Sequence, residues 1–340
     1  MDIKNYKIDE KIKRAYIESF KGISDEMYYL IIICTKILRC NEETISVDAD
    51  IDRLYDEFVY FKYYSSMSGD YMLNFFMPLM VASRNFESYE PVAKNLAEKL
   101  CRFYGNESAK YDYILDVFCY DIILRNLLAD NKEILESLNK IKDGLIGFNP
   151  YADSKLDNVK FQMKKIKYIE KIHKCIDSIE FGEKVSKCET GIGVIDILQF
   201  IDDKDYTEKI CSSGNSGFLS VYNVVKYLTD VSQKDDYKRE NEIKIVNESL
   251  KSSKYREFIE AMSEHLLKLR YGKVNVKKYS VKASPRQFLD REIGDEFIDP
   301  ILSKVKLDSR ETVQENGENK IVINILAKTG EYKFEYRIKE

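Results

Sequence analysis

Apolar residues recur every three or four positions over most of this chain, and every second position only near its end. The first spacing lines side chains along one face of an α-helix, the second along one face of a strand. Three helical patterns open behind small or acidic residues that suit a helix start: "EMYYLIIICTKIL" behind Ser24-Asp25, "KYDYILDVFCYDIILRNLL" behind Ser108, and "KEILESLNKIKDGLIG" behind Asn131. In "PVAKNLAEKLCRFYG", Pro91 fits a first turn and Gly105 a helix end. No proline interrupts the stretch between Pro150 and Pro285, which leaves room for long helices. Leu156, Val159, Met163, Ile166, Ile169, Ile172, Ile176 and Ile179 predict one amphipathic helix there, of about seven turns.

The pattern changes near Tyr271-Gly272. "KVNVKKYSV" (273–281) alternates in part and predicts a strand, and a short helix is expected behind Ser284-Pro285. Ile321, Ile323 and Ile325 then alternate, Lys328-Thr329-Gly330-Glu331 supplies a turn, and Tyr332, Phe334, Tyr336 and Ile338 alternate again. That is a β-hairpin, and it needs a third strand or a covering helix to be stable. The predicted fold is mostly α, a multi-helix body with a small C-terminal α+β element ending in a β-hairpin. Residues 1–150 form a helical domain and 151–270 a second helical region, continuous with or separate from the first; 271–340 form the α+β element.

With 340 residues, 44% apolar and 33% charged, the chain can bury a sizeable core and has a globular composition. The net charge of −4 excludes a uniformly basic nucleic-acid protein but permits a local basic face. The N-terminus "MDIKNYKIDEKIK" mixes acids with bases and has no apolar core of signal-peptide length. The most apolar stretch, "MYYLIIICTKIL", is too short to span a bilayer. Seven cysteines (34, 40, 101, 119, 175, 188 and 211) show no CxxC spacing and read as free thiols. A soluble cytoplasmic protein with no membrane partner is expected.

Catalytic chemistry is poorly supplied. There are two histidines, His173 and His265, and no GxSxG. His173, Cys175 and Cys188 lack the paired spacing of zinc ligands. Asp52/Asp56 and Asp236/Glu240 stand at i,i+4, but about ten such pairs arise by chance in so acidic a chain, and most are solvated. No metal and no cofactor is predicted. The loop Ser213, Gly214, Asn215, Ser216 and Gly217 precedes an apolar helical run. It reads either as an anion-binding loop at a helix N-terminus or as a plain helix cap; the nucleotide-loop patterns are absent. Between Tyr55 and Phe76, Phe58 and Phe61 share a face with Leu54. Tyr60, Tyr63 and Tyr64 point elsewhere, toward inter-helix packing or a stacking platform.

Two basic segments stand out. Lys268, Arg270, Lys273, Lys277, Lys278, Lys282 and Arg286 fall within 19 residues that hold no acid, interleaved with Tyr271 and Tyr279. Lys160, Lys164, Lys167, Lys171 and Lys174 form a stripe on the long helix. Such stripes displace counterions from a phosphate backbone, and the tyrosines offer stacking faces. The expected function is therefore a non-enzymatic helical subunit or adaptor that binds nucleic acid, RNA or single strands. The alternative is a helical protein–protein interaction or regulatory module with an acidic protein partner. A third reading is a small-molecule or phosphate-binding enzyme using Ser212–Gly217 or the acidic pairs.

Overall fold

The computed structural model describes residues 3–41, 46–65, 67–68, 71–181, 190–231, 252–274, 279–315 and 318–338. The helical body comprises α1 (Ile3–Glu18), α2 (Asp25–Ile37), α3 (Ile51–Tyr64), α4 (Met77–Ala82), α5 (Glu90–Phe103), α6 (Lys110–Leu128), α7 (Ile134–Gly147), α8 (Lys155–Glu180), α9 (Gly193–Gln199), α10 (Lys204–Ser212), α11 (Ser216–Val231) and α12 (Ser252–Arg270). A short ribbon, β1 (Leu38–Cys40) and β2 (Val47–Ala49), links α2 to α3. The chain ends in β3 (Glu296–Asp299), β4 (Ser303–Glu315), β5 (Glu318–Ala327) and β6 (Gly330–Arg337). The protein is thus mostly α with a small C-terminal β element, as the periodicity predicts.

The helix starts follow the sequence with two adjustments. Ser24 caps α2 by accepting from the Met27 amide, and Pro91 sits in the first turn of α5. Ser108 does not cap α6: its hydroxyl turns to Asn106, and a 3-10 turn over Glu107–Ala109 feeds the helix instead. Asn131 accepts from the Glu133 amide, two residues after which α7 is under way. α2 and α6 carry buried residues on all sides and form the middle of the body, as helices that are apolar all round must. One continuous buried cluster runs from Ile12 to Tyr336.

The sheet is antiparallel in the order β3-β4-β5-β6. Its hairpin pairs Ile321 with Tyr336, Ile323 with Phe334 and Ile325 with Tyr332, turning over Lys328 and Thr329. The strand beside β5 is β4, and the described part of 273–281 is irregular. A bulge between Leu307 and Ser309 interrupts the alternation of β4, which hides it from a period-two reading. The helix expected behind Pro285 is a 3-10 turn over Pro285–Asp290, after which the chain becomes β3.

Aromatic rings join sheet and body. Tyr60 meets Phe288 and Phe334 edge-on, Tyr64 meets Tyr332 and Phe334, Tyr63 meets Tyr336, and Tyr29 of α2 meets Tyr332. Tyr60 also donates to Asp299 at 2.8 Å, whose other oxygen accepts from the Ile301 and Leu302 amides. Tyr60, Tyr63 and Tyr64 of α3 are therefore packing residues. The same pairing recurs through the body: Tyr71 and Tyr168 donate to Asp116, Tyr89 to Asp121, Tyr104 to Glu26, Tyr111 to Asp157, Tyr271 to Asp9 and Tyr279 to Asp56. Phe334, fully buried between α3 and the 3-10 turn, gives the direct test of this docking. Phe334→Ala should cost about 3–5 kcal/mol in urea unfolding, and a loss under about 1 kcal/mol would mean the sheet is not held by this seam.

Candidate functional site

The Ser213–Gly217 loop joins α10 to α11, and its polar groups are engaged in that joint. The Ser213 amide closes the end of α10, and Gly214 takes the left-handed φ of +68° that reverses the chain. Asn215 accepts from the Phe218 amide as the cap of α11, and Ser216 accepts from the Ser24 amide. A Cβ on Gly217 would stand 1.4 Å from the Tyr71 carbonyl oxygen, so only glycine lets the two backbones approach this closely.

In the basic segment, Arg270 donates to the carbonyls of Val81 and Ser83 at the end of α4. The Tyr271 hydroxyl binds Asp9 at 2.8 Å, and its ring has the cations of Arg84 and Lys273 beside it, 5.9 and 5.3 Å from the centroid. Tyr279 binds Asp56 through its hydroxyl and Asp50 through its amide. Lys268, Lys273, Lys282 and Arg286 are exposed. Lys277 and Lys278 lie outside the described residues. The segment leaves α12, which packs on α1 and α4, whereas α8 packs on α6 and α7. The two basic stripes are thus carried by different parts of the body.

The long helix α8 has two faces. Ser154 caps it by accepting from the Asp157 amide, and Tyr111 donates to Asp157 at 2.5 Å. Phe161, Tyr168, Ile172, Cys175 and Ile176 are buried against the body. Lys165 is buried among them and donates to the carbonyls of Ile146 and Phe148, at 3.3 and 2.9 Å. It thereby closes the negative end of α7 with a cation, and burial pushes its pKa down. Lys164 pairs with Asp112 at 2.8 Å.

The first half of the apolar line predicted for this helix faces outward. Leu156, Val159, Met163 and Ile166 are 66, 55, 61 and 54% exposed. Each step of three residues falls about 60° short of a full turn. Two such steps, from Ile166 to Ile169 to Ile172, carry the line from the outer face to the inner one. The buried line is instead Phe161, Lys165, Tyr168 and Ile172, continuing to Cys175 and Ile176, and the lysine within it concealed it. Along one flank of the outer strip stand Lys160, Lys167 and Lys174, seven residues apart and exposed. None of the three pairs with an acid among the described residues. Lys171 is exposed as well and acts on Asp116, favouring its charged form.

Other candidates are weaker. A cleft of about 330 Å³ opens between the end of α3 and the β5–β6 hairpin, with Lys62, Lys320, Lys333 and Arg337 around Glu335. Glu335 lies 3.6 Å from Lys320 and 3.0 Å from Lys333, which offsets part of that charge. Among the described residues no three His, Cys, Asp or Glu side chains converge as metal ligands. Asp56 serves Tyr279 and the Ala283 amide, and Asp236 and Glu240 lie outside the described residues. His173 faces Asp177 at 3.8 Å on the surface, while His265 is partly buried, which holds its pKa down. Cys34, Cys101, Cys119 and Cys175 are buried, and Cys188 lies outside the described residues. No described helix is long and apolar enough to cross a membrane.

Asp116 fixes α8 to α6, and burial pushes its pKa up to about 7 although the hydroxyls of Tyr168 and Tyr71 oppose the rise. The folded protein therefore keeps this proton over a pH range in which the unfolded chain, near 4, has lost it. Stability from this group is greatest below about pH 4 and falls until about pH 7, by on the order of 4 kcal/mol. Asp116→Asn should flatten that decline, so that unfolding free energies of variant and parent diverge between pH 4 and 7. A constant difference across that range would refute the assignment.

No family model matches the chain, and neither the curated proteins nor the solved structures contain a significant match to it.

Proposed function

We propose that this chain is a helical protein–protein interaction module, a subunit or adaptor that receives an apolar segment of another protein on the outer face of α8. The observation that carries the reading is the strip Leu156, Val159, Met163 and Ile166, at 3-4-3 spacing, exposed on the side opposite the buried face of the same helix. The strip is about 15 Å long. Apart from Phe181 at the C-terminal cap of the same helix, the other exposed large apolar residues among those described are distributed over other elements. Solvated helix faces are ordinarily polar, and a contiguous apolar stripe marks a contact surface. Burying four such side chains contributes about 1.5–3 kcal/mol each, against an association cost of about 4–15 kcal/mol. The two are of similar size, so the strip by itself supports a weak, reversible contact.

The nucleic-acid reading has less support. Arg270 and the hydroxyls of both tyrosines in the basic segment are engaged within the fold. A phosphate backbone also offers nothing to an apolar strip.

Two measurements test the proposal. Replacing Leu156, Val159, Met163 and Ile166 together by Gln should move the thermal midpoint by less than about 2 °C and lower the binding of an apolar dye such as bis-ANS. A fall of many degrees would mean that the chain itself covers the strip, and the docking reading would fail. Anisotropy titration with labelled single-stranded RNA and duplex DNA should show no binding at physiological salt. Tight binding that weakens steeply with salt would restore the nucleic-acid reading.

A further inference from the structure

We infer that the segment received by α8 is an acidic amphipathic helix, paired in heptad register with an acid at every seventh position, and not a second copy of this chain. The inference rests on the docking reading above. The outer strip has the 3-4 spacing of a coiled-coil seam. Leu156 and Met163 occupy one seam position, Val159 and Ile166 the other, and Glu170 and His173 continue the same register as polar residues. The apolar seam is therefore two heptads long. Lys160, Lys167 and Lys174 each directly follow a seam residue, so all three stand on one flank, over about 21 Å of helix.

The opposite flank carries one cation, Lys155 at the start of the helix, and is uncharged after it. Gln162 there donates to Asn158, and Ile169 packs partly on the core. The charge flanking the seam is thus positive on both sides and concentrated on one, where three exposed cations stand without an acid among the described residues. In coiled coils the flanking positions choose the partner. A helix with acids seven residues apart meets these lysines in either orientation: in the positions before its own seam if parallel, after it if antiparallel.

A second copy fits neither way. Antiparallel pairing sets the three lysines against three lysines, and parallel pairing sets them against Lys155, Gln162 and Ile169. Like charges brought together in this way select against a partner.

The test uses the full chain and two labelled peptides of 21 residues, with the same leucine seam and either Glu or Lys at all flanking positions. Each peptide is too highly like-charged to pair with itself. By anisotropy at physiological salt, the Glu peptide should bind about tenfold or more tighter than the Lys peptide. Lys160→Glu/Lys167→Glu/Lys174→Glu should reverse that preference with an unchanged thermal midpoint. If both peptides bind equally and the reversal changes nothing, the acidic-partner inference is overturned while docking stands. If neither peptide binds parent or variant, docking itself is overturned. Sedimentation that finds a dimer, dispersed by Met163→Gln, would overturn the exclusion of a second copy.

Discussion

A carboxylate taken out of water needs hydrogen bonds, and in this protein tyrosines supply them. Asp116, Asp121, Asp299, Asp56 and Glu26 are all buried, and each accepts a phenolic hydroxyl at 2.6–2.9 Å. A tyrosine covers a large apolar area and still carries a donor at its tip, so one side chain both fills the core and satisfies the acid. The arrangement joins elements far apart in sequence: α6 to α8 through Asp116, α3 to the C-terminal sheet through Asp299, and α3 to the segment after α12 through Asp56. Unpaired, each buried acid would cost several kcal/mol, so the packing of these helices and the placement of these tyrosines are one problem.

That constraint makes α8 two-faced. Tyr168 and Lys165 both look inward, one to a carboxylate and one to carbonyls. With the polar contacts drawn to the inner side, the outer side is left with Leu156, Val159, Met163 and Ile166. A helix anchored so firmly on one face presents the other in a fixed orientation, which lowers the ordering cost of any contact made there.

The charges divide in the same way. Arg270 holds the end of α4 and Lys164 pairs with Asp112, although in sequence they look no different from Lys268 or Lys160. A run of cations is therefore a mixture of internal struts and solvated groups, and only their neighbours separate the two.

The sequence by itself determined the helical body, the C-terminal hairpin and most of the helix ends, because periodicity, capping and turn chemistry act over a few residues. Ile321, Ile323 and Ile325 against Tyr332, Phe334 and Tyr336 are an example: alternation and a short turn are enough to set their pairing. The loop at 213–217 was legible too, since serine, glycine and asparagine there suit a cap as they suit an anion. Only the tertiary structure decided which face of α8 is buried, which strand flanks the hairpin, and which tyrosines and lysines are engaged. Leu156 and Ile172 lie on one apolar line in the sequence, yet one is exposed and the other buried. The physical reason is that burial depends on what packs across a face. Helical period reports only which side chains share one.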